Sequence, residues 1–253
     1  MEDKYSGEKL YQSIFRRKSI RKFKDEHLEQ KQLNKLRDFL DSRAGIYAEM
    51  KVKNKIVSKE EIISLLPIKA PHYLLFFSEE KEGYLNNAGF ILQHLDLYLS
   101  AEGLGSCWFG LAKAKKEITE KSGLNYVISM AFGKAEEKLH RENISEFNRK
   151  AIKEIRDKAL HDELIEAARL APSATNNQPW YFKVAENRID VYLEKANFLK
   201  KIFYKKMNQI DIGIAAAHLK LAADHFNKNS KFIFNCADAE ELADYLYQFS
   251  LKI

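Results

Sequence analysis

The 253-residue chain, 45% apolar with a formal net charge of +6, can bury one large core or two small ones. No run approaches the roughly 18 consecutive apolar residues of a membrane span, and the charged start Met-Glu-Asp-Lys does not read as a secretory signal, so a cytoplasmic protein without a membrane partner is expected. Two cysteines, Cys107 and Cys236, suggest neither a disulfide framework nor a metal site, and the basic clusters at 16–24 and 200–206 come without a recognised nucleic-acid module, so no nucleic-acid partner is expected.

In chain order, Gly7–Phe15 reads as a short helix and Leu28–Leu40 as a second, with apolar residues at 33, 36, 39 and 40. Pro71 opens a strand-like run, 72–77. Gly89–Ala101 is a long apolar helix expected at the centre, and Tyr126–Phe132 is a strand ending at Gly133. Leu160–Leu170 is helical, Trp180–Val184 and Arg188–Leu193 form a hairpin across Glu186-Asn187, Ile212–His225 repeats the central helix, and Lys231–Asn235 is a closing strand. The expected class is α+β, an antiparallel-dominated sheet flanked by helices. His94 and His218, inside the two long helices, read as packing or hydrogen-bonding residues rather than acid–base groups.

Self-similarity runs through this pattern. Arg17-x-x-Ile20-x-x-Phe23 recurs as Arg141-x-x-Ile144-x-x-Phe147, and Gly89 with His94, Leu95 and Leu97 recurs as Gly213 with His218, Leu219 and Leu221. Positions 17 and 141, 89 and 213, and 94 and 218 are all 124 apart. A shared offset near half the chain is what a tandem repeat predicts, giving two diverged half-copies at 1–138 and 139–253.

Between the helix ending at Leu170 and the strand starting at Trp180 lies Ala171-Pro172-Ser173-Ala174-Thr175-Asn176-Asn177-Gln178-Pro179, with two of the chain's 4 prolines. The prolines fix φ and the amides offer donors and acceptors, which makes a pre-set polar surface. Together with Trp180 and Phe182 this string resembles the flavin-facing loop of the FMN-dependent nitroreductase family. Arg16-Arg17-Lys18-Ser19-Ile20-Arg21-Lys22-Phe23 resembles that family's phosphate-binding signature, and Gly103-Leu104-Gly105-Ser106-Cys107-Trp108-Phe109-Gly110 resembles the segment that passes the flavin ring. The motif order is unusual, since the Ala-Pro-Ser loop follows the Gly-Leu-Gly segment and the early stretch 40–47 carries no such loop. The chain is most similar to the internally duplicated type of the family.

The resemblance implies an intramolecular pseudo-dimer with FMN between the halves, one working site per chain and one dead image, hence a monomer. It implies an NAD(P)H oxidoreductase passing hydride through flavin N5, in a ping-pong cycle, to a nitroaromatic, quinone or other electron-poor small molecule. A flavin-binding regulatory protein without turnover is the alternative. The implied cofactor residues are Arg17, Ser19 and Arg141 at the phosphate, Arg21 at the N1–O2 edge, the backbone of Phe109 and Gly110 near N5, and Pro172, Ser173, Ala174, Asn176 and Gln178 in the loop. No side chain is assigned as catalytic, because the flavin carries the chemistry, and Cys107 is expected to be a packing residue. Ala44–Ile56 and Phe198–Met207 are the expected substrate-pocket segments, with Tyr204, Phe203 or Trp108 as groups that would plug the open flavin face of a non-catalytic protein.

Overall fold

Apolar residues recurring every three to four positions fold as helices, and β-branched or aromatic runs between turn residues fold as strands. In the computed structural model, which describes residues 7–64, 68–110, 112–195 and 198–253 and the side chains of all of these except 198–204, the elements are α1 (Gly7–Ile14), α2 (Gln30–Asp41), β1 (Val52–Val57), β2 (Ile62–Ile63), β3 (His72–Ser78), α3 (Tyr84–Ala101), β4 (Gly105–Trp108), β5 (Lys113–Ala114), α4 (Lys116–Ser122), β6 (Asn125–Gly133), α5 (Asp162–Arg169), β7 (Trp180–Ala185), β8 (Arg188–Glu194), α6 (Phe198–His225), β9 (Lys231–Ile233) and β10 (Tyr245–Lys252). Among the described residues no helix is long and apolar enough to cross a membrane.

The strands build two four-stranded sheets rather than one, in the orders β1-β3-β6-β4 and β7-β8-β10-β9, with β2 and β5 paired separately. Every pairing is antiparallel. The two orders are the same pattern: first, second, fourth and third principal strand of each half. Between the sheets α3 crosses α6, and the crossing depends on two glycines. A Cβ at Gly89 would stand 2.1 Å from the Ile210 carbonyl oxygen, and one at Gly213 would stand 1.9 Å from that of Asn86. Both lie well inside van der Waals contact, so only glycine lets the backbones meet. The two contacts are images of each other 124 positions apart, which places a pseudo-twofold axis at the crossing.

Four departures from the sequence reading have a physical cause. The helix expected at Ile212 starts at Phe198, because Lys, Gln and Met in its polar first half are good helix formers although they break the apolar pattern. Lys231–Asn235 does not close the fold; its strand, β9, is the edge, and β10 lies between it and β8. The strand pattern of β10 is masked by a buried polar pair, in which Ser250 Oγ donates to Asp190 Oδ1 at 2.6 Å. β1 escapes notice because Lys53 and Lys55 put charge on the exposed face of an edge strand. His94 and His218 are buried, and the Nδ1–H of each donates to a carbonyl, of Phe90 at 2.8 Å and of Ala167 at 2.7 Å.

Candidate functional site

The signature 16–23 does not form a helix. It runs as extended chain between β4 and the 134–141 segment, with Ile20 N–H donating to the Ser106 carbonyl at 2.8 Å and Arg141 N–H to that of Arg16 at 2.8 Å. Glu137 Oε1 takes the N–H groups of Arg21 and Lys22 at 2.8 and 3.2 Å. This path buries Arg17, 2% exposed. Its Nε lies 2.9 Å from Asp96 Oδ2, and its Nη2 reaches Ser19 Oγ at 3.3 Å. Asp96 also accepts from Ser106 Oγ and from Gln93 Nε2, and Gln93 Nε2 in turn reaches His218 Nε2 at 3.0 Å. Burial, then the charges of Arg17 and Arg149, push the His218 imidazole down to about 3, so it sits neutral in this network.

The loop after α5 is held in an uncommon shape. Thr175, Asn176 and Gln178 have φ of 51°, 59° and 50°, a left-handed region that non-glycine residues occupy at a cost. The surroundings over-determine it. Asp211 takes Ala174 N–H on both carboxyl oxygens at 3.0 and 3.2 Å, Ser173 Oγ takes Gln178 N–H at 2.8 Å, Arg149 Nη1 donates to Asn176 Oδ1 at 2.6 Å, and Gln178 Oε1 takes Lys150 N–H at 2.7 Å.

Two adjoining cavities open between these elements. The first, about 230 Å³ and largely apolar, is walled by Ser19, Arg21, Cys107, Trp108, Gly110 and Ile128 from the first half and by Pro172–Thr175, Met207, Ile210, Asp211 and Ile214 from the second. The second, about 590 Å³, shares Ser19, Arg21, Pro172, Ser173 and Thr175 with it and adds the cations Arg17, Lys18, Arg141 and Arg149, the carboxylates Glu137 and Glu146, and Asn148 and Asn176, so that five cations face two anions. An apolar slot therefore runs into a cationic mouth. The guanidiniums crowd one another there: burial and then Arg17 push Arg141 down to about 10, while burial, Arg17 and Arg141 push Arg149 down to about 9. Both remain charged at neutral pH. Among the described residues Arg149 has no carboxylate partner, and its Nε is buried without a hydrogen bond. An anion at this mouth would relieve the crowding of the guanidiniums.

Of the residues singled out from sequence, Arg17, Ser19, Arg21, Gly110, Arg141, Pro172, Ser173, Ala174 and Asn176 come together on these walls. Phe109 and Gln178 do not. Phe109 is buried against Tyr73, its N–H on the Ser129 carbonyl at 2.8 Å, and Gln178 braces the loop from behind. Trp108 lines the slot with its Nε1 on Gln93 Oε1 at 3.3 Å, whereas Phe203 and Tyr204 lie outside the described side chains. Cys107 is buried, its thiol pushed up by desolvation. Lys18 lies in the signature and Met207 ends the expected pocket segment Phe198–Met207, whereas Ile128, Arg149, Ile210, Asp211 and Ile214 are wall residues that the motifs did not indicate; the one signal available was the interruption of the apolar pattern of α6 by polar residues.

Ala44–Ile56 does not reach the cleft. It belongs to the image position across the pseudo-twofold axis, where the slot is filled. Tyr47 stacks on Phe234 with centroids 4.5 Å apart, and Phe90 meets Phe232 edge-on at 5.7 Å. Burial pushes the Tyr47 hydroxyl up to about 12. Gly83, at φ +78°, makes room for that ring: a Cβ there would fall 2.2 Å from Tyr47 Cζ.

The profile of a family described as Putative TM nitroreductase matches residues 9–223. The crystal structure of a putative nitroreductase from Thermotoga maritima MSB8 superposes with a TM-score of 0.64 at 19% identity, covering 96% of this chain and 93% of that one. An FMN-dependent nitroreductase from Clostridium difficile R20291 matches at 22% identity and a TM-score of 0.44, over 52% of this chain and 91% of its own. A nitroreductase family protein from Clostridium difficile 630 matches at 15% and 0.49, over 60% and 97%. No curated protein matches.

Proposed function

Because the chain belongs to the Putative TM nitroreductase family and has its α+β fold, we propose that it is an FMN-dependent NAD(P)H oxidoreductase reducing a quinone, nitroaromatic or other electron-poor small molecule, active as a monomer with one FMN per chain. The observation that carries this reading is the apolar slot opening into a cationic mouth, with walls from both halves. A planar aromatic ring with a phosphate tail is the ligand those surfaces fit, and the crowded guanidiniums of Arg17, Arg141 and Arg149 suit the phosphate.

In this reading the halves 1–138 and 139–253 are diverged copies forming a pseudo-dimer; the matching strand orders and the reciprocal glycine contacts support it. Arg17, Ser19, Arg141 and Arg149 hold the phosphate. Arg21 places positive charge where the reduced ring becomes anionic, which favours reduction. Gly110 would leave room in the slot for the ring, and the strained loop from Pro172 to Asn176, fixed by Asp211 and Arg149, would offer it a rigid edge. When bound, FMN supplies hydride exchange between nicotinamide and acceptor, while the protein orients and tunes. Ping-pong kinetics follow if nicotinamide and acceptor use the one slot in turn.

The test is to load the purified protein with FMN, remove the excess, count flavin per chain, and measure NADH and NADPH oxidation with a quinone. One flavin per chain and acceptor-dependent turnover are expected. Two flavins would refute the single-site reading; full loading without turnover would leave a flavin-binding protein and refute the enzyme.

A further inference from the structure

Asp211 is the one carboxylate on the wall of the apolar slot, and the reading above gives it only the task of holding Ala174. Its image in the other half is Asn87, which does the same for its own loop: Asn87 Oδ1 takes Tyr47 N–H at 3.1 Å. An amide therefore suffices to pin this loop, and where the slot is filled an amide is what stands there. Where the slot is open, the position carries an ionisable group. Asp211 is 2% exposed, and among the described residues no cation comes within ion-pair distance of it.

The other titratable groups on the slot wall are Arg21 and Cys107. At this level α3 presents the uncharged Asn86 and Gly89, α5 presents Arg169, already paired with Glu166 at 2.6 Å, and on α6 itself His218 is neutral and two turns away. Burial, opposed only by the Ala174 hydrogen bond, pushes the Asp211 carboxyl up to about 8.

Resting on the flavin reading, we propose that Asp211 is the proton donor of the cleft. A quinone becoming a hydroquinone takes up two electrons and two protons. The hydride equivalent, derived from reduced nicotinamide by way of the flavin, brings both electrons and one proton. The second proton must reach a quinone oxygen: the Asp211 O–H bond breaks as the new quinol O–H bond forms, and the resulting carboxylate regains a proton from water. A carboxylate stranded in an apolar slot is poorly solvated, which drives that return and resets the group.

The test uses the full chain and D211N. In the FMN-free parent, carbon-13 NMR of labelled aspartate, assigned by difference from D211N, should show one carboxyl titrating near 8; titration of Asp211 in the usual range of about 4 overturns the proposal. FMN affinity, by fluorescence, should differ less than about threefold between parent and variant, as the amide at position 87 implies. With photoreduced, FMN-loaded protein mixed with benzoquinone, the parent's reoxidation rate should fall about tenfold per pH unit above about pH 8, while D211N is about 100-fold slower at neutral pH and flat. A D211N profile matching the parent's overturns this inference alone. A parent that binds no FMN overturns the flavin reading and the inference with it. Should D211N fail to fold, the parent's pH profile decides, and a flat one refutes the proposal.

Discussion

The open cleft and its filled image use corresponding positions to opposite ends. Gly110 in one corresponds to Phe234 in the other, Trp108 to Phe232, Ile214 to Phe90 and Asp211 to Asn87, each pair 124 apart, while Ala174 and Tyr47 occupy the same place on their loops. Around the open cleft the residues leave volume and keep charge; around the image they pack rings, Tyr47 on Phe234 and Phe90 on Phe232. On the proposed reading, a two-sided interface carried within one chain needs only one working cleft. The other is then free to exchange an empty slot, whose lining lacks packing partners, for aromatic burial contributing on the order of 2 kcal/mol per ring.

The sharpest way to break this comparison is to make the open cleft resemble its image. Gly110→Phe should weaken FMN binding more than about 100-fold, because a ring would occupy the space the flavin needs. The fold should survive, since the nearest obstacle to a side chain at 110 is the Met207 thioether, 2.9 Å from a Cβ and able to swing aside. Fluorescence titration with FMN, alongside far-UV circular dichroism, checks both halves of the statement. Unaltered binding would mean that the ligand does not pass Gly110.

The reverse change sharpens the comparison with a smaller effect. Phe234→Ala should lower stability by about 2 kcal/mol, below the range for fully buried phenylalanines because this ring is only partly buried, and it should not create a second flavin site. The positions answering to Ser19 and Arg21 are Asn143 and Ser145, so a reopened slot would lack the second basic residue of the signature. Urea denaturation and flavin absorbance per chain are the measurements. A second bound flavin would show that ring-filling alone, and not loss of the signature, closes the image.

What the sequence made legible were contiguous runs. The signature around Arg17, the Gly-Leu-Gly segment and the Ala-Pro-Ser loop are each local in the chain, and the repeat showed through because Gly89 and Gly213 cannot change without separating α3 from α6. Asp211 and Arg149 were not legible. A single Asp in a helix or a single Arg after a turn is by default a solvated charge, and what removes each from water is tertiary: the α3–α6 crossing places Asp211 on the slot, and Arg149 is drawn over Asn176 by the loop's left-handed backbone. Phe109 is expected to approach the flavin by its backbone, and that expectation does not depend on its ring, which strand alternation turns into the core beside Tyr73.

Arg149 is also where the comparison makes its finest distinction, between a charge kept for a ligand and a charge kept for the fold. It holds Asn176 at 2.6 Å and the Leu170 carbonyl at 3.3 Å, yet it sits in the field of Arg17, Arg141 and Arg169, which together with burial lowers its proton affinity. Arg149→Met should reduce FMN affinity about tenfold, the worth of one charge-assisted hydrogen bond, and the loss should shrink in high salt. Thermal unfolding of the FMN-free protein should be unchanged or slightly raised, because the lost loop contacts are offset by relief of cation–cation repulsion. Asn176→Ala separates the roles, removing the loop contact while leaving the charge. If Arg149→Met instead destabilises the FMN-free protein as much as it weakens binding, Arg149 is a brace for the loop, and the cationic mouth belongs to Arg17, Lys18, Arg21 and Arg141.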